Sequence, residues 1–501
     1  MTKGFVYLVG AGIGGEQGLT VKARSLLETA EVVIADDLVD DRLRALVSPQ
    51  CEWIKTGKRG GKESVPQSTI NQLMIDRALA GKTIVRLKSG DPWVFGRVLQ
   101  EIEALKQADI GWSVVPGLPS PIVAPMLAGI PLTETDRSSC FVVLTGHEPE
   151  HLPWRALAEI PTLVILMGTR SLSIVCDRLK EYRSGSTPLA IIHQAGRWAQ
   201  QVWTGTLDYI DLPFGVDLSP AVIVIGEVVR HRSWLSSSLP LSGCRILVTR
   251  SIGQSASFVD ELQKQGAITI EMPTLAIVPP SSYADLDRAI QNIDRYDWLI
   301  LTSANGVEAF FRRLFLQGKD CRALHHLQIA VVGQKTKEVL QTYGIVADLV
   351  PPDFIADSLI QVFPDVSGKS ILFPRVESGG REVLVEQLTN KGAQVDCVAA
   401  YQSVCPDRID EEVLEALKTI DVITFASSKT VLHFVQMLDQ ITDRSVWSDW
   451  IKTAKIASIG TQTSKSCREL LGRVDIEATE FTLAGLTQAI VAFFRPDKVA
   501  R

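Results

Sequence analysis

Four groups of residues in this chain have the types and spacing to do chemistry. The first is Gly10-x-Gly12-x-x-Gly15, which closes an apolar run and opens a helical pattern. With Asp36 and Asp37 near where a ribose-binding acid would stand, it fits a dinucleotide fingerprint. A tight strand-to-helix turn needing positive φ would read the same way. The second is Ser89-Gly90-Asp91. Its glycine permits close backbone approach to a ligand, and its aspartate can bind a ribose or amino group or cap the following helix. The third is the cation set Lys58, Arg59, Lys62 and Arg97, able to grip carboxylates or simply to face solvent. The fourth is a series of turns in the back half: Thr302-Ser303-Ala304-Asn305, Gly333-Gln334-Lys335-Thr336, Ser427-Ser428-Lys429-Thr430 and Gly460-Thr461-Gln462-Thr463. At helix N-termini, such turns offer unpaired N–H groups and a favourable dipole to anions.

Elements that position these residues are legible in the alternation of strands and helices. FVYLVGAG, EVVIADDLV and KTIVRLKSG read as strands, and GLTVKARSLLETA, STINQLMIDRALAG and RVLQEIEALKQAD as helices, giving an α/β domain with a largely parallel sheet. After the proline-rich WSVVPGLPSP, a second α/β lobe follows with strands CFVVLTGH, TLVILMG, LAIIHQA and AVIVIGEVV. At 501 residues the chain is too long for one core, and two to four domains are expected. Its 46% hydrophobic and 22% charged residues are those of a globular protein. The net charge of −6 argues against a broad nucleic-acid footprint, though not against a local basic pocket. The eight cysteines form no C-x-x-C pair, so no metal site is expected. They read as free thiols of a reducing cytosol. No secretory or transit pattern and no membrane-length apolar run is present, so a cytoplasmic protein is expected. His325-His326 reads as a polar helix end.

WLSSSLPLSG, residues 234–243, reads as an inter-domain linker. Beyond it the chain is duplicated. ILVTR at 246–250 is echoed by ILFPR at 371–375, Asp297-WLILTSANGV by Asp421-VITFASSKTV, and Ile329-AVVGQKT by Ile456-ASIGTQT. Three blocks recur at nearly one offset, roughly 125 residues. Two copies imply a bilobed domain with its ligand in the cleft.

Residues 5–230 resemble the uroporphyrinogen-III C-methyltransferases of the tetrapyrrole methylase family. The resemblance rests on VYLVGAG-x-G, ADDLV, TGKRGG followed by VPQ and IN, RLKSGDPWVFGR, VVPG, AGIPLT, TGH, PTLVILMG, VWTGTL and SPAVIVIGEVV, in that order. It implies two α/β lobes holding S-adenosylmethionine, and a homodimer. It puts cofactor contacts at Ile13, Ser89, Gly90, Asp91, Val94, Pro119, Ser120, Met167 and Ala195. It makes Asp36 a proton acceptor and Lys58 a proton donor, with Arg97 on substrate carboxylates. Loss of a proton after carbon methylation makes a base chemically sensible. The chain departs from the family pattern in several places. Gly12-Ile13-Gly14-Gly15 replaces G-P-G-D, Glu63 replaces a histidine, Val98-Leu99-Gln100-Glu101 replaces Gly-Gly-Glu-Glu, and Pro119 replaces a threonine.

Residues 244–500 resemble uroporphyrinogen-III synthase through ILVTR, LTSANGV, VVGQKT, ILFPR, AYQS (400–403), TFASS, SIGTQT and TEFTLAGLTQAI. The resemblance implies a bilobed α/β fold that uses no cofactor. It implies that Tyr401 assists loss of a hydroxyl, and that Ser303, Thr336, Ser427 and Thr463 line the cleft. Packing of Tyr401 in a connector strand, and helix capping by the others, are the structural alternatives.

The fold class expected is therefore α/β throughout: a two-lobed tetrapyrrole-methylase fold over 1–235 (lobes 1–115 and 117–232), a linker at 236–243, and a bilobed synthase fold over 244–501 (lobes 245–276 plus 403–501, and 280–398). The product of the second half would be the substrate of the first. The fusion would cyclise hydroxymethylbilane to uroporphyrinogen III, then methylate it twice to precorrin-2 on the sirohaem and cobalamin route. A later corrin methylase carrying a synthase-like tetrapyrrole sensor is the main alternative, separable by substrate tests. An RNA-directed relative is disfavoured by the acidic balance. A nicotinamide enzyme would have to bind NAD. No nucleic-acid or membrane partner is expected.

Overall fold

Short apolar runs alternating with amphipathic ones become four five-stranded sheets in the computed structural model. It describes residues 3–56, 65–213, 217–233, 239–251, 255–351, 356–378 and 382–494. The chain divides into two units, Met1–Ser238 and Leu239–Arg501.

The first sheet of the front unit contains β1 (Phe5–Gly10), β2 (Val32–Ala35), β3 (Glu52–Lys55), β4 (Thr83–Lys88) and β5 (Gly111–Val115), in the order β3-β2-β4-β1-β5. All pairings are parallel. Strand alternation splits the core in two. Val9, Val33 and Val85 face the helix Val21–Thr29, while Leu8, Ile34 and Ile84 face the helices Gln67–Leu79 and Val98–Gln107. Being parallel, the strands end on one edge, so the loops after Gly10, Ala35, Lys88 and Val115 come together there.

The second sheet contains β6 (Phe141–Thr145), β7 (Thr162–Leu166), β8 (Pro188–His193), β9 (Gln201–Thr206) and β10 (Ala221–Ile225), in the order β6-β7-β10-β8-β9. Only β6 and β7 run parallel; β10 is antiparallel to both its neighbours, and β9 to β8. The sequence reading gave this lobe four strands and missed β9. QVWTGT is an edge strand with no buried residue, so it lacks the apolar signal of its neighbours.

In the back unit the chain lays down β11 (Arg245–Val248) and β12 (Ile268–Glu271). It crosses through β13 (Ala276–Val278) to build β14 (Trp298–Leu301), β15 (Gln328–Val331), β16 (Ser370–Val376) and β17 (Gln394–Val404). It then returns for β18 (Val422–Phe425), β19 (Lys455–Ser458) and β20 (Ile476–Glu477). The sheets are β12-β11-β18-β19-β20 and β13-β17-β16-β14-β15. Strands β12-β11-β18-β19 repeat as β17-β16-β14-β15, so each sheet joins the opening strands of one sequence copy to the closing strands of the other. Matching aspartates pin matching strands. Asp421 accepts from Arg245 N at 2.7 Å and Asp297 from Ser370 N at 2.9 Å. Asp475 accepts from Ile456 N at 2.8 Å and Asp348 from Ile329 N at 2.7 Å. β13 and the end of β17, paired antiparallel, carry the chain between the sheets. Residues 234–238 of the sequence linker lie outside the described residues. Leu241, within the stretch read as linker, is buried in the back unit's core.

Candidate active sites

Close backbone contact builds the front site. Gly12 and Gly90 exchange N–H···O bonds of 3.1 and 3.0 Å, joining the loops after β1 and β4. The loop after β5 closes on both. A Cβ on Gly10 would stand 2.5 Å from Gly117 N and 2.6 Å from Gly90 O, and one on Gly117 would strike the same carbonyl. Glycine is required there by contact rather than by turn geometry. Asp91 clamps the junction: its carboxylate accepts from Trp93 N at 2.8 Å and from Gly117 N at 3.0 Å. Asp91 therefore opens a local turn rather than capping the following helix, whose N-cap is Arg97, and it also ties two loops together.

Gly90 itself leaves room. A Cβ there would meet Ser120 N only at 3.6 Å and Pro119 Cα at 3.8 Å. Pro119 is the N-cap of the helix Ser120–Leu127 and gives it no side-chain cap, because proline has no side-chain acceptor. Val94 follows in the same turn, its N–H donating to Asp91 O at 3.2 Å. From the second lobe, Gly196 packs so closely on Gly14 that a Cβ would lie 2.7 Å from its Cα, and Arg197 donates to Leu38 O at 3.0 Å. Ile13 and Ala195 pack against one shared apolar cluster of that lobe. Met167 is 55% exposed at the end of β7. A side chain at Gly15 would press on Asp40 and Arg42, whose ion pair fills the space beside it.

Backbone strain marks the same loops. Five non-glycine residues among those described have positive φ, and four of them (Phe95, Arg97, Met167 and Gln194) belong to the loops just named. Such conformations are held only where the surroundings enforce them, and they cluster at functional sites. Arg97 is exposed at the start of the helix Val98–Gln107. Lys58, Arg59, Lys62 and Glu63 lie outside the described residues.

Asp36, one residue past β2, is a third exposed at its side chain and ion-paired with Arg86. Behind it lies a charge cluster that sequence reasoning missed. Arg86 Nε and Lys88 Nζ both donate to Glu101 Oε1 at 2.9 Å, and Lys88 Nζ stands 3.9 Å from Asp36. Arg86, Lys88 and Glu101 are buried. Burial, with Arg86 beside it, holds the Lys88 ammonium below its ordinary value. The signal was Arg-x-Lys within the apolar strand TIVRLK, two cations on a face otherwise turned to the core.

The back site repeats itself with one asymmetry. Ser303 and Ser427 are equivalent N-caps, of the helices Ala304–Leu316 and Ser428–Asp439. Ser303 Oγ accepts from Gly306 N at 3.0 Å and also meets Tyr401 Oη at 3.0 Å. Ser427 instead forms a reciprocal capping box with Thr430. Thr336 and Thr463 are likewise equivalent, both buried in the first turns of helices that begin at Gly333 and Gly460 without a side-chain cap. Tyr401 on β17 is 8% exposed, packed in the core with its hydroxyl on Ser303. Two residues further along β17, Ser403 O accepts from Lys429 Nζ at 2.9 Å. Thus the first turn of each equivalent helix grips the connector strand. Arg250, at the end of β11, is held by burial below its ordinary value.

Among the described residues no group of three or more His, Cys, Asp or Glu side chains is arranged to hold a metal. No described helix is long and apolar enough to cross a membrane.

Comparison with known proteins separates the chain in the same way. Residues 6–211 match the family described as Tetrapyrrole (Corrin/Porphyrin) Methylases, and residues 256–488 that described as Uroporphyrinogen-III synthase HemD. The porphyrin biosynthesis protein HemD of Ruminiclostridium josui is 33% identical over 477 residues, 91% of this chain and 94% of that protein. The uroporphyrinogen-III synthase of Synechococcus elongatus is 50% identical over 259 residues, 51% of this chain and 97% of that protein. The uroporphyrinogen-III C-methyltransferase of the same organism is 47% identical over 233 residues, 46% of this chain and 96% of that protein. Both resemblances read from the sequence are borne out.

Proposed function

The chain belongs to the tetrapyrrole methylases through its front half and to the uroporphyrinogen-III synthases through its back half, and on that premise we propose that it makes and then methylates one macrocycle. The back unit cyclises hydroxymethylbilane to uroporphyrinogen III, inverting the terminal ring and losing water. The front unit transfers two methyl groups to that product, giving precorrin-2 for the sirohaem or cobalamin route.

The observation that carries the methylase reading is the cradle of touching glycine loops with Asp36 at its rim. The residues present fit S-adenosylmethionine. Gly90 leaves open ground before an uncapped helix start, and the positive-φ residues Met167 and Gln194 stand on the second lobe. When bound, that group supplies a methyl on a sulfonium, and transfer depends on in-line placement. Ser89, Gly90, Asp91 and Val94 would hold it from the first lobe and Pro119, Ser120, Met167 and Ala195 from the second, with Ile13 at the junction. Asp36 accepts the proton that the porphyrinogen must lose once its ring carbon has been alkylated. Lys58 serves as proton donor, and Arg97 grips a substrate carboxylate.

In the back unit, the turns at Ser303, Thr336, Ser427 and Thr463 face the bilane's carboxylates with N–H groups. Tyr401 donates to the departing hydroxyl, positioned by Ser303. No cofactor is needed for this step.

A second copy of the chain completes the assembly. Leu118, Ile122 and Met126, spaced four apart before and along Ser120–Leu127, are 42, 40 and 64% exposed, an apolar stripe suited to a twofold contact. Light scattering should give a dimer, and Met126→Glu a monomer. Cytoplasmic residence keeps the unpaired thiols reduced. The direct test supplies uroporphyrinogen III and S-adenosylmethionine to the purified chain under anaerobic conditions. A mass gain of two methyl groups is expected; no gain would overturn the methylase reading.

A further inference from the structure

Arg86, Lys88 and Glu101 occupy positions where a sheet protein places apolar side chains. They lie between β4 and the helix Val98–Gln107, on the face shared by Leu8, Ile34 and Ile84. Arg86 and Glu101 are 1% and 0% exposed, and Lys88 is 3% exposed. With Asp36 they make two cations and two anions, a balanced set linked through Glu101 Oε1 and the Arg86 guanidinium. Gln67 Nε2 adds a contact to Glu101 Oε1 at 3.3 Å, while Oε2 is buried without a hydrogen-bond partner. Arg86 also donates to Ile34 O at 3.1 Å, fixing its guanidinium to the strand that ends one residue before Asp36.

Such a cluster is a poor way to stabilise a core. Desolvating the ions offsets most of their attraction, and apolar residues of the same volume hold a fold as well or better. An unsatisfied carboxylate oxygen adds a further cost. The cluster meets solvent at only one member, Asp36, whose side chain is 33% exposed. That member stands on the edge where the glycine loops meet.

We propose that Arg86, Lys88 and Glu101 are positioning residues of the methyl transfer, a buried strut that fixes the Asp36 carboxylate in place and orientation at the rim of the cradle. The inference rests on the reading of Asp36 as proton acceptor. Arg86 holds one carboxylate oxygen directly. Glu101 holds Arg86 and Lys88 in turn, so the strut transmits the rigidity of a helix and a strand to a side chain that otherwise sits at a loop start. Proton transfer rewards this, because its rate depends on the base being within hydrogen-bond reach when the proton becomes acidic.

The test is a double-mutant cycle on the full chain. Lys88→Met with Glu101→Gln removes one charge of each sign, leaves the Arg86–Asp36 pair intact, and keeps the site neutral so that it can fold. Binding of S-adenosylmethionine by calorimetry checks that the cradle survives. The paired substitution should lower kcat for methylation by about tenfold or more, with KM and cofactor Kd within about twofold. In an Asp36→Asn background the same pair should cost less than about twofold, because groups acting through one residue are not additive. An equal loss in both backgrounds would assign the cluster a merely structural role and overturn the proposal, as would an unchanged kcat. If Asp36→Asn alone turns over at the parent rate, the reading of Asp36 itself fails, a result distinct from either of these.

Discussion

The two units handle their chemistry with opposite materials. The front unit concentrates charge: Asp36 is backed by Arg86, Lys88 and Glu101, buried between a parallel sheet and the helix Val98–Gln107. The back unit offers mostly neutral donors, repeated by an internal duplication: Ser303 and Ser427, Thr336 and Thr463, each on the first turn or cap of a helix. The difference follows from what each reaction asks. Carbon methylation must deliver one proton to one place, which a fixed carboxylate does. Ring closure must hold a flexible polyanion in one fold, which many weak, oriented N–H and O–H donors do better than one strong charge.

The comparison breaks most visibly at Asp36. Asp36→Asn should lower methyl transfer about a hundredfold or more, while hydroxymethylbilane consumption stays within about twofold. A matching loss in both assays would mean that the charge cluster serves the whole chain rather than one reaction. Next in size is Gly117→Ala, whose Cβ would strike Gly90 O. Overpacking three touching loops should weaken S-adenosylmethionine binding about tenfold or more, measured by calorimetry; unchanged affinity would remove the cradle from the account.

The asymmetry between the two serines sharpens the back half of the comparison. Ser303 touches Tyr401, whereas Ser427 only caps its helix. Tyr401→Phe and Ser303→Ala should each slow cyclisation by roughly tenfold. Ser427→Ala should cost about 1 kcal/mol of stability with cyclisation changed less than about threefold. Equal kinetic effects of the two serine changes would show that the repeats act alike.

The smallest effect expected is a difference in alkaline stability. Burial raises the Cys176 thiol of the front unit to about 11, and the Cys244 and Cys467 thiols of the back unit to about 12. An unfolded chain releases these protons near pH 8.5, before the folded one does. Their contribution to stability is therefore full below that pH and is lost progressively as pH rises through the folded values. Thermal melting of the back unit should fall more steeply than that of the front between about pH 8.5 and 10. Cys467→Ala should flatten the slope, and an unchanged slope would remove these thiols from the explanation.

Much of this was legible in the sequence, for reasons that differ between the units. Alternation of VYLVG, EVVIA and KTIVRLK with helical patterns gives the three central strands of the first sheet, because parallel strands buried on both faces read as apolar runs. The two edge strands, Glu52–Lys55 and Gly111–Val115, are little buried and escaped, the second within a stretch read as a proline-rich link. The duplication gives the back unit its paired sheets and the four helix starts at Ser303, Thr336, Ser427 and Thr463. What escaped lies where pattern and burial disagree. Arg86 and Lys88 carry no sequence mark of burial beyond their place in an apolar strand, yet their face is covered by the helix Val98–Gln107, and their partner Glu101 comes from that helix. QVWTGT carries too little buried surface to be recognised as a strand. Asp91 can be read as a helix cap from its neighbours, but it opens a turn instead, and its second partner, Gly117 N, belongs to the loop after a different strand. The bond between Ser303 and Tyr401 joins the two sequence copies and has no local signature.

The central claim is that one chain carries both reactions, and one assay tests it most directly. Purified chain is given hydroxymethylbilane anaerobically, with and without S-adenosylmethionine, and the products are followed by absorbance and mass. Uroporphyrinogen III without the methyl donor, and the same macrocycle two methyl groups heavier with it, is the result predicted. The type I isomer alone, or a type III product that never gains a methyl group, would contradict it.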